Sequence, residues 1–217
     1  MAKRREKVQW MNQLVNMVAI MIGVYIAFAL NDCQINKLQE IRRKESISSM
    51  KEDLLKDKVE LEKGLRIIDT LSYKINGVFR FINNDTSASD SLTYFVTGLQ
   101  SQPTFYPTNF TFQSLVSSGD MGGINDLSFR KDLLELYNGH YTTIKELDEI
   151  GLKNFQDLII PALIEQGGQF DARLMKTQSF AAMAGITQSL LISRKKAYRE
   201  SSQLIDKILN QIEIGGI

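Results

Sequence analysis

Residues 47–82 read ISSMKEDLLKDKVELEKGLRIIDTLSYKINGVFRFI. Ile47, Leu54, Leu61, Ile68, Ile75 and Ile82 recur at every seventh position, with Leu65, Leu71, Val78 and Phe79 in neighbouring places. Seven residues lie close to two helical turns, so the six side chains share one helical face that must be covered. The partner seam positions Lys51, Lys58 and Ser72 are polar, which argues against an isolated two-stranded coiled coil. The pattern therefore predicts a long helix packed along other helices. Gly64 and Gly77 cost some helical stability without ending the helix. No proline precedes Pro103, so the helix can extend far towards the N-terminus.

In that direction lies QWMNQLVNMVAIMIGVYIAFALND, residues 9–32, uncharged from Leu14 to Leu30. Met11 to Leu30 supplies the roughly 20 residues that cross a bilayer's hydrocarbon. An export signal would use the basic start (Lys3, Arg4, Arg5, Lys7) and a cut after small residues such as Ala27 and Ala29. Its apolar core is usually about 7–15 residues, shorter than this one. Lipidation at Cys33 conflicts with the polar Asn31-Asp32 before it. The expected reading is a transmembrane helix at 14–31 behind a short cytoplasmic N-terminus at 1–13, held there by its basic residues. That orientation puts the bulk of the chain on the periplasmic side of the inner membrane.

Asn12, Asn16, Ala19, Gly23 and Ala27 follow spacings of four, three, four and four, one stripe on this helix. Lipid gives helices no hydrophobic reason to associate, so small residues that admit close approach and an amide that bonds across helices mark a self-association face. The expected partners are thus the lipid bilayer and further copies of the chain, with an envelope protein as another candidate.

Composition narrows the rest. The 217 residues carry a formal net charge of +1, with no basic excess for nucleic acid. One cysteine, Cys33, excludes an internal disulfide, and one histidine, His140, excludes multi-histidine metal sites. No catalytic signature, metal site or cofactor motif is apparent, and a non-enzymatic role is expected. The predicted organisation is all-α. A charged stalk helix at 32–82 leads through a loop at 83–110, with its aromatics against the bundle, into a helical bundle at 111–217. Gly119 is expected as a left-handed cap and Asp126 or Ser128 as the next N-cap. A last helix near 186–212 should turn Leu190, Ala197, Leu204, Ile208 and Ile212 inward and expose Arg194, Lys195, Lys196 and Arg199.

Two blocks carry a family resemblance. Ile26-Ala-Phe-Ala-Leu-Asn-Asp-Cys33 closes the apolar span before the charged helix Lys37–Leu61, and Leu115-Val-Ser-Ser-Gly119 precedes Ile124 and Leu133–Tyr137. In these the chain resembles a group of small Bacteroidota single-span membrane proteins catalogued as a domain of unknown function, with Cys33 where that family has tryptophan. The resemblance implies a bacterial inner-membrane address and a helical envelope domain, and no activity. In a periplasm of that phylum, Asp90-Ser91-Leu92 would fit its O-glycosylation triplet, making Ser91 a candidate acceptor.

The function expected from these readings is a self-associating scaffold or interaction subunit of the cell envelope. The alternative is an accessory subunit of an envelope transport, motor or sensing complex. A motor would need an ionisable carboxylate inside the span, and Asp32 stands only at its edge.

Overall fold

The computed structural model of the chain describes residues 2–83, 92–165, 167 and 172–215. The fold is all-α, with no strand among the described residues. Its helices are α1 (Ala2–Ile82), α2 (Leu92–Gln100), α3 (Phe110–Ser117), α4 (Leu127–Glu135), α5 (Tyr141–Asn154), α6 (Ile160–Glu165), α7 (Ala172–Met175) and α8 (Gln178–Gly215). A 3-10 turn, Asp120–Gly123, separates α3 from α4. Gly119 before it takes φ 79°, and Asp126 caps α4 by accepting from the Phe129 N–H at 3.0 Å. Turns of π-helix at Leu136–His140 and Phe155–Ile159 join α4, α5 and α6. The second stands immediately before Ile160-Pro161. A proline cannot donate to the carbonyl four residues back and its ring crowds that carbonyl, and a widened turn accommodates both effects.

The chain divides into two compact units, residues 1–46 and residues 47–217, and α1 contributes to each. In the first unit every side chain from Leu14 to Leu30 is exposed. An 18-residue window there has a mean hydropathy of 2.1 with none of it buried. A helix this long and apolar is able to cross a membrane, whereas in water each fully exposed aliphatic side chain forgoes roughly 1.5–3 kcal/mol.

In the second unit the seven-residue repeat is the floor of the core. Ile47, Leu54, Leu61, Ile68 and Ile75 are buried, and Ile82 is partly buried against the same cluster. The accompanying seam runs three residues on, through Met50, Asp57, Gly64, Leu71 and Val78, all buried. It does not run through Lys51, Lys58 and Ser72. Lys51 and Lys58 instead flank the seam and reach across to α8, in the pairs Lys51–Glu213 and Lys58–Asp206, while Asp69 pairs with Lys195. Successive pairs step seven and then eleven residues on each helix, in opposite directions, so α1 and α8 are antiparallel in one register. Both steps are near whole numbers of turns, which keeps the pairs on one edge. Such exposed pairs contribute about 0–1 kcal/mol each, against roughly 1.5–3 for each buried aliphatic residue. The seam supplies the stability and the pairs mark the register.

Two boundaries differ from the sequence reading. Residues 47–82 belong to the compact second unit rather than to a stalk distinct from the bundle, because α8 and the segment after α2 cover their apolar face. The interval 83–110 contains α2, whose Phe95, Val96 and Leu99 are buried at helical spacing. This helix is only nine residues long, and the Ser, Thr and Asp residues around it give the interval the composition of a loop. Of the aromatics in that interval, Phe105 packs inward, whereas Tyr106 and Phe110 are exposed. Phe112, one turn into α3, takes the inward place and stacks on Tyr137 at 4.1 Å between centroids.

At Gly64 the helix α1 is closely approached by Tyr198 of α8. A Cβ built there would lie 2.3 Å from Cε1 of Tyr198, whose ring is fully buried and has no room to withdraw. Gly64→Ala should therefore lower the stability of the second unit by about 1–3 kcal/mol through overpacking. Helix propensity alone would raise it by up to ~1 kcal/mol, so the sign of the shift in a thermal melt decides between the two effects.

Candidate functional site

Between α2 and α3 the chain runs without regular structure through residues 101–109, SQPTFYPTN. Pro103 and Pro107 supply no N–H donors, so the segment depends on side chains from the helices for its backbone bonds. Asp57 of α1 provides one anchor. Its Oδ1 accepts from the Thr108 N–H at 2.9 Å, and its Oδ2 accepts from the Tyr141 hydroxyl at 2.8 Å. Tyr137 donates to the Thr108 carbonyl at 3.1 Å, and Asp53 accepts from the Thr111 hydroxyl at 2.5 Å. Asp57 is 1% exposed, and among the described residues no cation lies within salt-bridge distance of it. Burial pushes its carboxyl above the usual carboxylate range, opposed by the Thr108 and Tyr141 donors.

Arg194 of α8 is the second anchor, and its position corrects the sequence reading. It is not on the solvent face but 1% exposed, the largest of the fully buried side chains. Its Nη1 donates to Gln102 at 2.9 Å and its Nη2 to the Leu147 carbonyl at 3.1 Å. Nε stands 3.2 Å from Oδ1 of Asp148, an ion pair without hydrogen-bond alignment. Oδ2 of Asp148 accepts from the Phe105 N–H at 3.1 Å. Burial raises the Asp148 carboxyl and lowers the Arg194 guanidinium, each opposed by the charge of the other. An arginine keeps its proton in a protein, so the pair is ionic. Gly151 makes room for it, since a Cβ there would fall 2.3 Å from Nη2.

Where these anchors tie the segment to α5, a groove of about 410 Å³ lies between them. Phe105, Tyr106, Pro107, Tyr137, Tyr141 and Leu152 give it apolar walls, and Lys145, Asp148 and Glu149 line it with charge. Phe105 and Tyr141 meet with ring centroids 5.3 Å apart, and Tyr137 meets Tyr141 edge-on at 5.1 Å.

The residues singled out from sequence lie elsewhere. Asn16, Ala19, Gly23 and Ala27 are exposed on α1 in the first unit, and a Cβ on Gly23 would meet nothing within 4 Å. The side chain of Asn12 and the whole of Ser91 lie outside the described residues. The stalk-packing residues form the core described above. Asp57, Tyr141, Asp148, Arg194 and Gln102 do not stand out in the sequence as a group. The signal it does carry is an acid in an apolar seam at Asp57, and an arginine in step with Phe180, Thr187, Ser201 and Ile208. No group of three or more His, Cys, Asp or Glu side chains suited to a metal ion occurs among the described residues. Compared with known proteins, the chain matches no family model, no curated sequence and no solved structure.

Two substitutions test the anchors. Because the folded Asp57 holds its proton more tightly than the unfolded chain does, its ionisation opposes folding. Wild type should gain stability relative to Asp57→Asn as pH falls from 7 towards ~4, the unfolded carboxyl value. A variant-minus-wild-type difference that stays flat with pH would contradict this. At pH 7, Asp57→Asn should stay closer to wild type than Asp57→Ala, which strands two buried donors at about 1–3 kcal/mol each. Arg194→Leu leaves Asp148 without its counter-charge and should cost about 3–5 kcal/mol, largely recovered when Asp148→Leu is added. Chemical denaturation of the four forms gives the coupling directly.

Proposed function

We propose that the chain is a single-pass, membrane-anchored helical protein of the bacterial cell envelope that self-associates as a scaffold or interaction subunit. In this reading residues 14–31 sit in the inner membrane, the basic N-terminus is cytoplasmic and the Ile47–Ile217 unit is periplasmic. The observation that carries it is the wholly exposed apolar surface of α1 in the first unit, with a mean hydropathy of 2.1. Such a surface is stable in lipid and unstable in water. Four basic residues among the first 13, against one acid, support the orientation. The amide and small residues of the stripe, Asn16, Ala19, Gly23 and Ala27, support association between copies. The likeness to Bacteroidota envelope proteins supports the address. An accessory role in a sensing complex is the second reading, favoured by the groove beside α5.

Purification in mild detergent, with mass determined before and after crosslinking, tests the assembly. A homo-oligomer is expected, and Asn16→Leu with Gly23→Leu should shift it towards monomer. An oligomer mass unchanged in that double variant removes the stripe as the interface. Protease added to spheroplasts should digest the second unit. Its survival would reverse the topology, and recovery of the chain in the soluble fraction without detergent would end the membrane reading.

A further inference from the structure

The apolar surface of the first unit does not end where a bilayer would. Leu38 and Ile41 are 48% and 54% exposed on α1, and Ile35 borders them, also uncovered. They stand seven and ten residues past Asn31, about 10 and 15 Å of helix. A headgroup layer is only about 5–8 Å thick, so lipid around residues 14–31 covers neither side chain. Their placing along the helix is regular. The stripe Asn16, Ala19, Gly23, Ala27 continues as Leu30, Gln34, Leu38, Ile41 and Glu45, with spacings of three, four and four recurring throughout. Positions eleven apart form its columns: Asn16, Ala27 and Leu38; Ala19, Leu30 and Ile41; Gly23, Gln34 and Glu45. Eleven residues exceed three turns by only about 20°, so the line keeps to one side of α1 throughout residues 16–45.

We propose that the interface between copies extends beyond the bilayer, with Gln34, Leu38, Ile41 and Glu45 packing against the same residues of a second, parallel copy. This rests on the self-association reading above, which supplies the neighbour. Copies anchored in one membrane with one topology run parallel, so equivalent residues meet at equal heights. The stripe holds the helices close, and at that effective concentration two aliphatic layers suffice to join them. Charge agrees with this partner: Glu45 closes the line, and Lys37, Arg42 and Lys44 lie on its flanks, where an acid of the next copy reaches them. An eleven-residue repeat winds such helices with a right-handed supercoil, opposite to that of a heptad coiled coil.

The test uses the full chain in native membranes with Cys33→Ser as background, because Cys33 is exposed about a quarter turn off the line. Single cysteines are placed at each position from 34 to 41, and copper-phenanthroline oxidation is read as disulfide-linked dimer on a non-reducing gel. A disulfide needs Cβ atoms about 4 Å apart, so facing positions link best. Gln34→Cys, Leu38→Cys and Ile41→Cys should each give severalfold more dimer than Asn36→Cys or Gln39→Cys. Leu38→Cys should also exceed Lys37→Cys, the position that a heptad would turn inward. Adding Leu38→Ser and Ile41→Ser, which remove only exposed side chains, should lower the yield at Gln34→Cys severalfold. Flat yield across 34–41, a maximum at 37, or linkage to a different protein overturns the proposal. If the wild type is nevertheless an oligomer by mass in detergent, association through the span stands and only its extension falls. A monomeric wild type removes both.

Discussion

The carboxylate of Asp57 occupies a place on α1 that the seven-residue repeat reserves for an apolar side chain. Burying it without a counter-ion is unfavourable unless its oxygens are bonded, and the molecule meets that requirement with Thr108 and Tyr141. From this constraint much of the second unit follows. The irregular segment 101–109 must lie where its amide reaches the acid. Helix α5 must present a tyrosine to the other oxygen. The gap left between segment and helix is the groove. Gly64, one seam position further on, completes the arrangement by admitting the Tyr198 ring, which packs against Phe105 at 6.0 Å. An apolar residue at 57 and a larger one at 64 would make α1 a better coiled-coil strand and a worse support for this site.

The same logic separates what is legible in the sequence from what is not. Burial of Ile47 through Ile75 is legible because aliphatic residues repeating every seven positions line up only on a helix, and a stripe so apolar must be covered. Their partner seam lies one residue away from where the sequence suggests it. Asp57 and Gly64 break the line through Met50, Leu71 and Val78, leaving Lys51 and Lys58 as the apparent continuation. On α8 the inward line Phe180, Thr187, Arg194, Ser201, Ile208 contains three polar residues and so has the look of surface. Thr187 and Ser201 satisfy their hydroxyls on the carbonyls of Met183 and Ala197 within the helix, a local bond that burial does not disturb. Arg194 finds its partners 46 and 92 residues away in sequence, at Asp148 and Gln102. No local pattern encodes such distances. The candidate site is hidden for a physical reason: its groups are defined by what crosses between elements, not by spacing along one.

The two units use apolar surface in opposite ways. In the second, aliphatic side chains are covered by other parts of the same chain, and Asp57, Thr187 and Ser201 enter the core with their oxygens bonded. In the first, apolar side chains surround the helix on all sides and nothing in the described chain covers them, so their environment must come from outside the molecule. The stripe of Asn16, Ala19, Gly23 and Ala27 is the one departure from that uniformity, and its amide resembles Asp57 in kind: a polar group where the pattern calls for none.

The antiparallel ladder between α1 and α8 also has a mechanical meaning. Lys51, four residues into the second unit, faces Glu213 near the other terminus, so the unit is entered and left at one pole. Tension applied between those two points loads the rungs in turn, starting with Lys51–Glu213 and then Lys58–Asp206, instead of all at once. A pull along that line would open the helix pair like a zip, at low force. A pull between residue 47 and the far end near Phe81 would stretch α1 lengthwise and meet far greater resistance.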